Sequence, residues 1–225
     1  MMWRQEQKYT ISGADRVLLL CRLNASLLPD PYAAADGLYH VRTLYFDDIF
    51  QSALSDTFAG VPERKKYRLR MYNANPSFLR LERKTKSFNG GQKSSALLTQ
   101  TECNLLIRGE YSFLKEKDDP FLLSAYAAAQ SGGLRPQTIV DYSRNAFFHP
   151  TGNVRITVDE NVRVSRNVDS FFDELFFGIP VLEKGACILE IKYDGILPVF
   201  IRELLSIENR THTAMSKYAA SGIFY

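Results

Sequence analysis

The sequence is poor in the residue types that build metal clusters, disulfide frameworks and membrane spans. Its three cysteines, Cys21, Cys103 and Cys187, lie more than eighty positions apart. That spacing excludes a zinc knuckle or a paired disulfide framework, and the thiols are read as reduced and structural. The three histidines, His40, His149 and His212, have no ligand spacing either and are read as surface or local hydrogen-bonding groups. No apolar run approaches the ~20 residues of a membrane helix, and the chain opens on a polar strand rather than a signal-peptide core. Low-complexity tracts and fixed-period repeats are missing. A large surplus of one charge is also lacking, since 28 Lys/Arg stand against 25 Asp/Glu for a net +3, which excludes a uniformly basic exterior. The expectation is a cytoplasmic globular protein of 225 residues with an ordinary hydrophobic content of 45%.

What the chain does have is a local concentration of positive charge. Between Glu63 and Lys93 ten Lys/Arg stand against two acids, Glu63 and Glu82. Strand alternation sorts them: Lys66, Arg68 and Arg70 share one face, opposite Tyr67, Leu69 and Met71. Arg80, Glu82, Lys84 and Lys86 then share a face opposite Leu79 and Leu81. An antiparallel sheet can wet one face in this way, but solvated faces usually mix both signs. A nearly single-sign face repels itself unless an anion sits on it, so this one reads as an anion-binding surface.

The same one-sided charging recurs along the chain. Met1–Thr10 is a strand with Arg4, Glu6 and Lys8 together. Ser12 is the expected N-cap of a helix over Gly13–Leu28, with Val17, Leu18, Leu20, Cys21 and Leu27 as its apolar stripe. Tyr39–Asp48 reads as a strand and Asp47-Asp48 as its terminal turn, followed by a short helix or irregular link over Phe50–Phe58. Asn73–Ser77 is a turn between the two basic strands. Helical periodicity takes over from Leu97 to Gln130, an insertion of about residues 97–133 with a fresh start at Pro120. Strands return at Thr138–Phe148, Val154–Arg166 and Cys187–Asp194, where Glu190 and Lys192 share a face, and Pro198 begins a helix over Val199–Leu205. The Phe-rich link around Phe171–Phe177 is read as core, and Thr211–Gly222 as weakly helical.

Seven or eight amphipathic strands are many for a sheet with one wet face, and closure removes exposed edges. Because the helices need an apolar partner, the charged faces are expected to point inward. The fold class read from the sequence is therefore α+β: one domain over residues 1–225, built as a closed antiparallel eight-stranded barrel, a tunnel with a charged interior and helices packed outside.

Seven short stretches, in order, resemble the polyphosphate polymerase domain of the vacuolar transporter chaperone (VTC) family. That family belongs to the CYTH, or triphosphate tunnel metalloenzyme, superfamily. The stretches are Glu6-Gln7-Lys8-Tyr9, Arg68-Leu69-Arg70, Leu81-Glu82-Arg83-Lys84-Thr85 with Gly91-Gln92-Lys93-Ser94, Tyr142-Ser143-Arg144, Val154-Arg155-Ile156, Leu189-Glu190-Ile191-Lys192 and Ser216-Lys217-Tyr218. The resemblance spans Glu6 to Lys217. It implies that Lys8, Arg68, Arg70, Lys84, Lys93, Arg144, Arg155 and Lys217 bind phosphate, that Glu190 binds Mn²⁺ or Mg²⁺, and that Lys192 joins Lys8, Arg68, Arg70, Lys84 and Arg155 in catalysis; Glu82 lies on the same face as its neighbouring cations. Superfamily triphosphatases carry two glutamates ahead of the first-strand lysine, whereas here Arg4 takes the first of those places and only Glu6 remains. That departure favours the polymerase branch.

The implied activity is transfer of the γ-phosphate of ATP to a growing polyphosphate chain, primed by pyrophosphate. The alternatives are a triphosphate or nucleoside triphosphate hydrolase on the same scaffold and a non-catalytic polyphosphate-binding module. Nucleic acid is not expected, since no aromatic-basic interleaving marks a strand-binding groove. Without a span of its own, a VTC-like chain implies a separate membrane partner, at the inner face of a membrane.

Overall fold

Alternating apolar and charged residues form strands where the sequence shows them, with residues 1–3 of the first outside the described residues. Thr211 and His212, expected in a weak helix, lie in a short strand, and Leu97–Leu98 end a strand instead of opening the helical insertion, because backbone pairing with a neighbouring strand overrides local periodicity there. The computed structural model describes residues 4–30, 37–88, 90–207, 210–212 and 216–223. Eight strands are long: β1 (Arg4–Ile11), β3 (Leu38–Asp47), β4 (Arg64–Tyr72), β5 (Asn75–Ser87), β6 (Gly90–Leu98), β7 (Arg135–His149), β8 (Val154–Ser165) and β10 (Cys187–Asp194). Three are short, β2 (Leu28–Pro29), β9 (Ile179–Pro180) and β11 (Arg210–His212). The helices are α1 (Gly13–Ser26), α2 (Ser52–Phe58), α3 (Gln100–Ile107), α4 (Pro120–Gly132), α5 (Val199–Leu204) and α6 (Lys217–Ile223). None of the described helices is long and apolar enough to cross a membrane.

The strands form one mixed-length antiparallel sheet of eleven, in the order β11-β1-β10-β8-β7-β3-β4-β5-β6, with β2 on β7 and β9 on β8. The α+β class holds, but the expected closure into an eight-stranded barrel is not found among the described residues: the path is open and ends at β11 and β6. Among the described residues β11 pairs with β1 over Tyr9–Ile11 and β6 pairs with β5 along Gly90–Leu98, so each end strand has a single neighbour in the ladder.

The described residues fall into two units, one from 1–40, 142–162 and 182–215, the other from 41–141, 163–181 and 216–225. In the first unit, Ser12 caps α1 as expected, accepting from the Asp15 amide. The stripe is phased differently from the sequence reading: Leu19, Leu23 and Leu27 are buried against Ile156, Leu189 and Ile201, while Val17 and Leu18 are 57% and 47% exposed. Leu19, Leu23 and the C-cap Leu27 follow one another at intervals of four, so they line up along one face of the helix. β10 contributes Cys187, Leu189, Ile191 and Tyr193 to this core and turns Glu190 and Lys192 away from it.

In the second unit, β4 and β5 are joined at Asn73-Ala74, both with positive φ (52° and 49°), the conformation that a tight two-residue hairpin requires. Tyr67, Leu69, Met71, Leu79 and Leu81 face inward and are covered by Cys103 and Leu106 of α3 and Leu122, Ala125 and Ala129 of α4. Both helices are anchored at their starts. Thr99 and Glu102 form a reciprocal capping box on α3, and Asp119 accepts from the Phe121 and Leu122 amides ahead of α4. The inserted helices thus cover the apolar face of the basic strands, and the charged face is left opposite them. Arg42 is fully buried in the same unit; its Nε donates to Asp141 Oδ2 at 2.7 Å and its Nη1 to the Phe171 and Asp173 carbonyls at 3.0 and 2.6 Å.

Candidate functional site

In the second unit, register converts the basic strands into rungs. Lys66, Lys84 and Lys93 lie directly across β4, β5 and β6; the next rung is Arg68, Glu82 and Ser95, and the next Arg70, Arg80 and Leu97. Over these three rungs six cations therefore surround one carboxylate, and Arg64 opposite Lys86 adds a further cationic rung to the same face. Like charges directly opposite one another are destabilising in a sheet, so the lysine rung is an arrangement that favours a bound anion.

Glu82 is the centre of this face. Arg68 reaches its Oε2 with both Nε and Nη2 at 2.7 Å, Arg70 Nη1 stands 3.7 Å from the same oxygen, and Lys93 Nζ lies 2.5 Å from Oε1. The carboxylate is 1% exposed. Burial alone would push its pKa up, but the charges of Arg70 and Arg68, with Lys93, overcome that and hold it at about 2. The expected phosphate ligands Arg68, Arg70 and Lys93 are thus brought together around one group, and Lys84 stands exposed on the adjoining rung.

Lys217 opens α6, half-buried in this unit. Its neighbour Tyr218 anchors the helix, donating to Asp47 Oδ2 at 2.6 Å and stacking on Tyr45 with ring centroids 4.5 Å apart. Asp47 also accepts from the Ala53 and Leu54 amides, and Asp48 from those of Phe50 and Ser52. The Asp47-Asp48 pair is therefore the strand-to-helix turn that the sequence indicates.

In the first unit, charges alternate across β1 and β10. Lys8 is opposite Glu190 and Glu6 is opposite Lys192. Lys8 Nζ lies 2.7 Å from Glu6 Oε1 and 3.5 Å from Glu190 Oε1, and Lys192 Nζ is 3.1 Å from that same Glu190 oxygen. Burial disfavours the Lys8 ammonium, yet Glu190 and Glu6 outweigh it and raise the Lys8 pKa. Thr157 is the neighbour of Glu190 on β8, 3% exposed, and its Oγ1 has no hydrogen-bond partner among the described residues. Two carboxylates and an idle hydroxyl on one face suit a hard divalent cation that completes its shell with water and phosphate oxygens. A protein-only cage is not present, since no group of three or more His, Cys, Asp or Glu among the described residues is placed to hold a metal.

The two remaining arginines are engaged by carboxylates. Arg144 forks onto Asp159, with Nε to Oδ1 at 2.5 Å and Nη2 to Oδ2 at 2.8 Å, and Asp159 is fully buried. Burial opposes the charged guanidinium, but Asp159 more than compensates and the Arg144 pKa is raised. Arg155 Nη2 donates to Asp30 Oδ2 at 2.9 Å and to the Tyr39 hydroxyl at 3.1 Å, with the Arg155 side chain 42% exposed. Asp30, Tyr39 and Thr157 were not among the expected site residues. The only sequence signal for them is residue type, since their approach to Arg155 and Glu190 depends on strand pairing.

Compared with protein families, the chain matches the VTC domain over residues 3–223. Two solved structures share its fold. One is a putative adenylyl cyclase from Hippeastrum, described as having a dominant triphosphatase activity: 16% identity, 98% of this chain and 96% of that chain covered, TM-score 0.56. The other is a putative adenylate cyclase from Bacillus halodurans: 14% identity, 91% and 90% covered, TM-score 0.53. No curated protein matches the chain.

Proposed function

Because the chain belongs to the VTC domain family, we propose that it is a metal-dependent polyphosphate polymerase, acting as one catalytic domain that moves the γ-phosphate of ATP onto polyphosphate. The observation that carries the reading is the convergence of Arg68, Arg70 and Lys93 on Glu82 within three rungs that hold six cations and one carboxylate. Phosphoryl transfer asks the protein for alignment and charge neutralisation rather than for a nucleophilic side chain, and guanidinium forks supply both.

The terminal oxygen of a polyphosphate or pyrophosphate acceptor attacks the γ-phosphorus; the new P–O bond forms as the bond to the β-γ bridging oxygen breaks, and ADP leaves with that electron pair. Arg68, Arg70 and Lys84 hold donor phosphate oxygens, with Lys93 and Lys217 contributing further positive charge in the same unit. In the other unit, Glu190 with Glu6 would hold Mn²⁺ or Mg²⁺, which would supply charge neutralisation to phosphate oxygens bound in that unit. Lys8 and Lys192 hold those carboxylates in place through their ion pairs, and Arg155, and Arg144 once its fork is shared with Asp159, are the phosphate ligands there.

The test is incubation of the protein with ATP, Mn²⁺ and pyrophosphate, with products resolved on a gel that separates polyphosphate from free phosphate. A metal-dependent ladder, lost in both Glu190→Ala and Arg68→Ala, is the expected outcome. A second reading, hydrolysis of triphosphates, is favoured by the shared fold with the Hippeastrum protein and its described triphosphatase activity. Release of free phosphate with no ladder would replace the first reading with the second.

A further inference from the structure

Past Arg70 and Arg80 the charged face of the β4–β5 hairpin changes character. Alternation carries the row Lys66, Arg68, Arg70 on to Tyr72, and the row Lys84, Glu82, Arg80 back to Phe78. The rings of Tyr72 and Phe78 lie 6.4 Å apart, tilted by 55°. Each meets a guanidinium: Arg70 is 5.8 Å from the centre of the Tyr72 ring and Arg80 4.7 Å from that of Phe78. Arg70 Nη1 also donates to the Tyr72 hydroxyl at 3.1 Å. The β4–β5 register slips between Arg70 and Tyr72, and irregularities of this kind re-aim a side chain at the end of a ladder. Phe78 is 39% exposed, a large aromatic group at the end of a cationic row.

We infer that Tyr72 and Phe78 form a platform for the base of a nucleoside triphosphate whose phosphates lie along Arg80, Arg70 and Arg68. The inference rests on the phosphate-binding reading of that row and extends it to the class of donor. Inorganic polyphosphate has no group that gains from aromatic rings; a nucleotide is the polyanion that brings a flat π-face with it. The spacing suits one. Tyr72 stands one side-chain repeat beyond Arg70 and two beyond Arg68, ~6.6 Å per repeat, an interval that a ribose and the first phosphates fill. Since stacking tolerates every base, the platform favours nucleotides over inorganic triphosphate without strong choice among them.

The experiment is calorimetric titration of the wild type, Phe78→Ala, Phe78→Tyr and Arg68→Ala with ATP and, separately, with inorganic triphosphate, both with Mg²⁺. The expected result is that Phe78→Ala binds ATP roughly ten-fold more weakly, the scale of one lost base–aromatic stack, with triphosphate affinity unchanged and Phe78→Tyr restoring ATP. Phe78→Leu, which keeps bulk but removes the π-face, decides the same question if Phe78→Ala fails to fold. Unchanged ATP affinity in the Phe78 variants, or equal weakening of both ligands, overturns the platform. Arg68→Ala separates the two levels: if it leaves both affinities at the wild-type value the phosphate-binding reading falls and takes the platform with it, whereas if it weakens both while Phe78→Ala weakens neither, only the platform falls.

Discussion

Replacing Glu82 by Gln tests the electrostatic logic of the cationic face directly. The carboxyl is held at about 2 against an ordinary 4.5, because the folded protein surrounds it with Arg68, Arg70 and Lys93. A depressed folded-state pKa means that the stabilisation is fully present above the unfolded value and is lost as pH falls from 4.5 toward 2. At 1.36 kcal/mol per pKa unit the ionised group contributes about 3 kcal/mol at pH 7, and about 2 kcal/mol of that has gone by pH 3. Other carboxylates also titrate in this window, so the informative quantity is the difference between wild type and Glu82→Gln, which does not titrate at this position. Urea unfolding at pH 7, 5, 4 and 3 should show the wild type more stable by about 3 kcal/mol at pH 7, the gap closing steadily toward pH 3. Inorganic triphosphate should restore part of the loss in Glu82→Gln at pH 7, since an anion bound to the folded state stabilises it by mass action. A gap that stays constant from pH 7 to pH 3 would refute the claim that charge, rather than packing, makes Glu82 matter.

Three further outcomes follow from other parts of the molecule. Ala74 holds φ at 49° in the β4–β5 turn, so Ala74→Gly should raise stability by about 1 kcal/mol, read as an upward shift in Tm with no change in phosphate affinity. Asp141→Asn removes the charge facing the buried Arg42 guanidinium and should destabilise by about 3–5 kcal/mol in urea unfolding, while Arg42→Met with Asp141→Leu recovers much of it. Burial pushes the Cys103 thiol up to about 12 and the Cys187 thiol up to about 11, whereas Cys21 is exposed. A thiol reagent at pH 8 should therefore label Cys21 alone until denaturant is added.

Local alternation is enough to read strands such as β4 and β10, which each sort charged from apolar residues with period two, whereas β6, with its two glycines and small residues, shows no such period. The helix caps at Ser12 and the start at Pro120 were legible for the same reason, each being decided within four residues. What sequence left hidden depends on pairing at a distance. Glu82 lies on the charged face by parity, but its contact with Lys93 requires the β5–β6 register. The family resemblance points to Arg144 as a phosphate ligand; its fork onto Asp159, fifteen positions on, becomes visible only when β7 and β8 are laid side by side. Arg42 and Asp141 are 99 residues apart and carry no motif. The stripe of α1 was misread because its apolar residues surround much of the helix and only packing selects Leu19 and Leu23. Strands of two or three residues, such as β2 and β9, are too short to show any period.

The three strands β4, β5 and β6 follow one another without interruption over residues 64–98, and this has a kinetic consequence. Hairpins between neighbouring strands close within about 1–10 μs, well before ladders such as β1 with β10, whose partners are 176 to 190 residues apart, overcome their loop-closure entropy. The cationic face is therefore assembled early, while little of the rest of the chain is in place to neutralise it. During that interval Glu82 is the one carboxylate on the face, and polyanions in the refolding medium act as the remaining counter-charge. Refolding in added inorganic triphosphate accordingly accelerates, and Glu82→Gln is the variant whose refolding rate depends on it most.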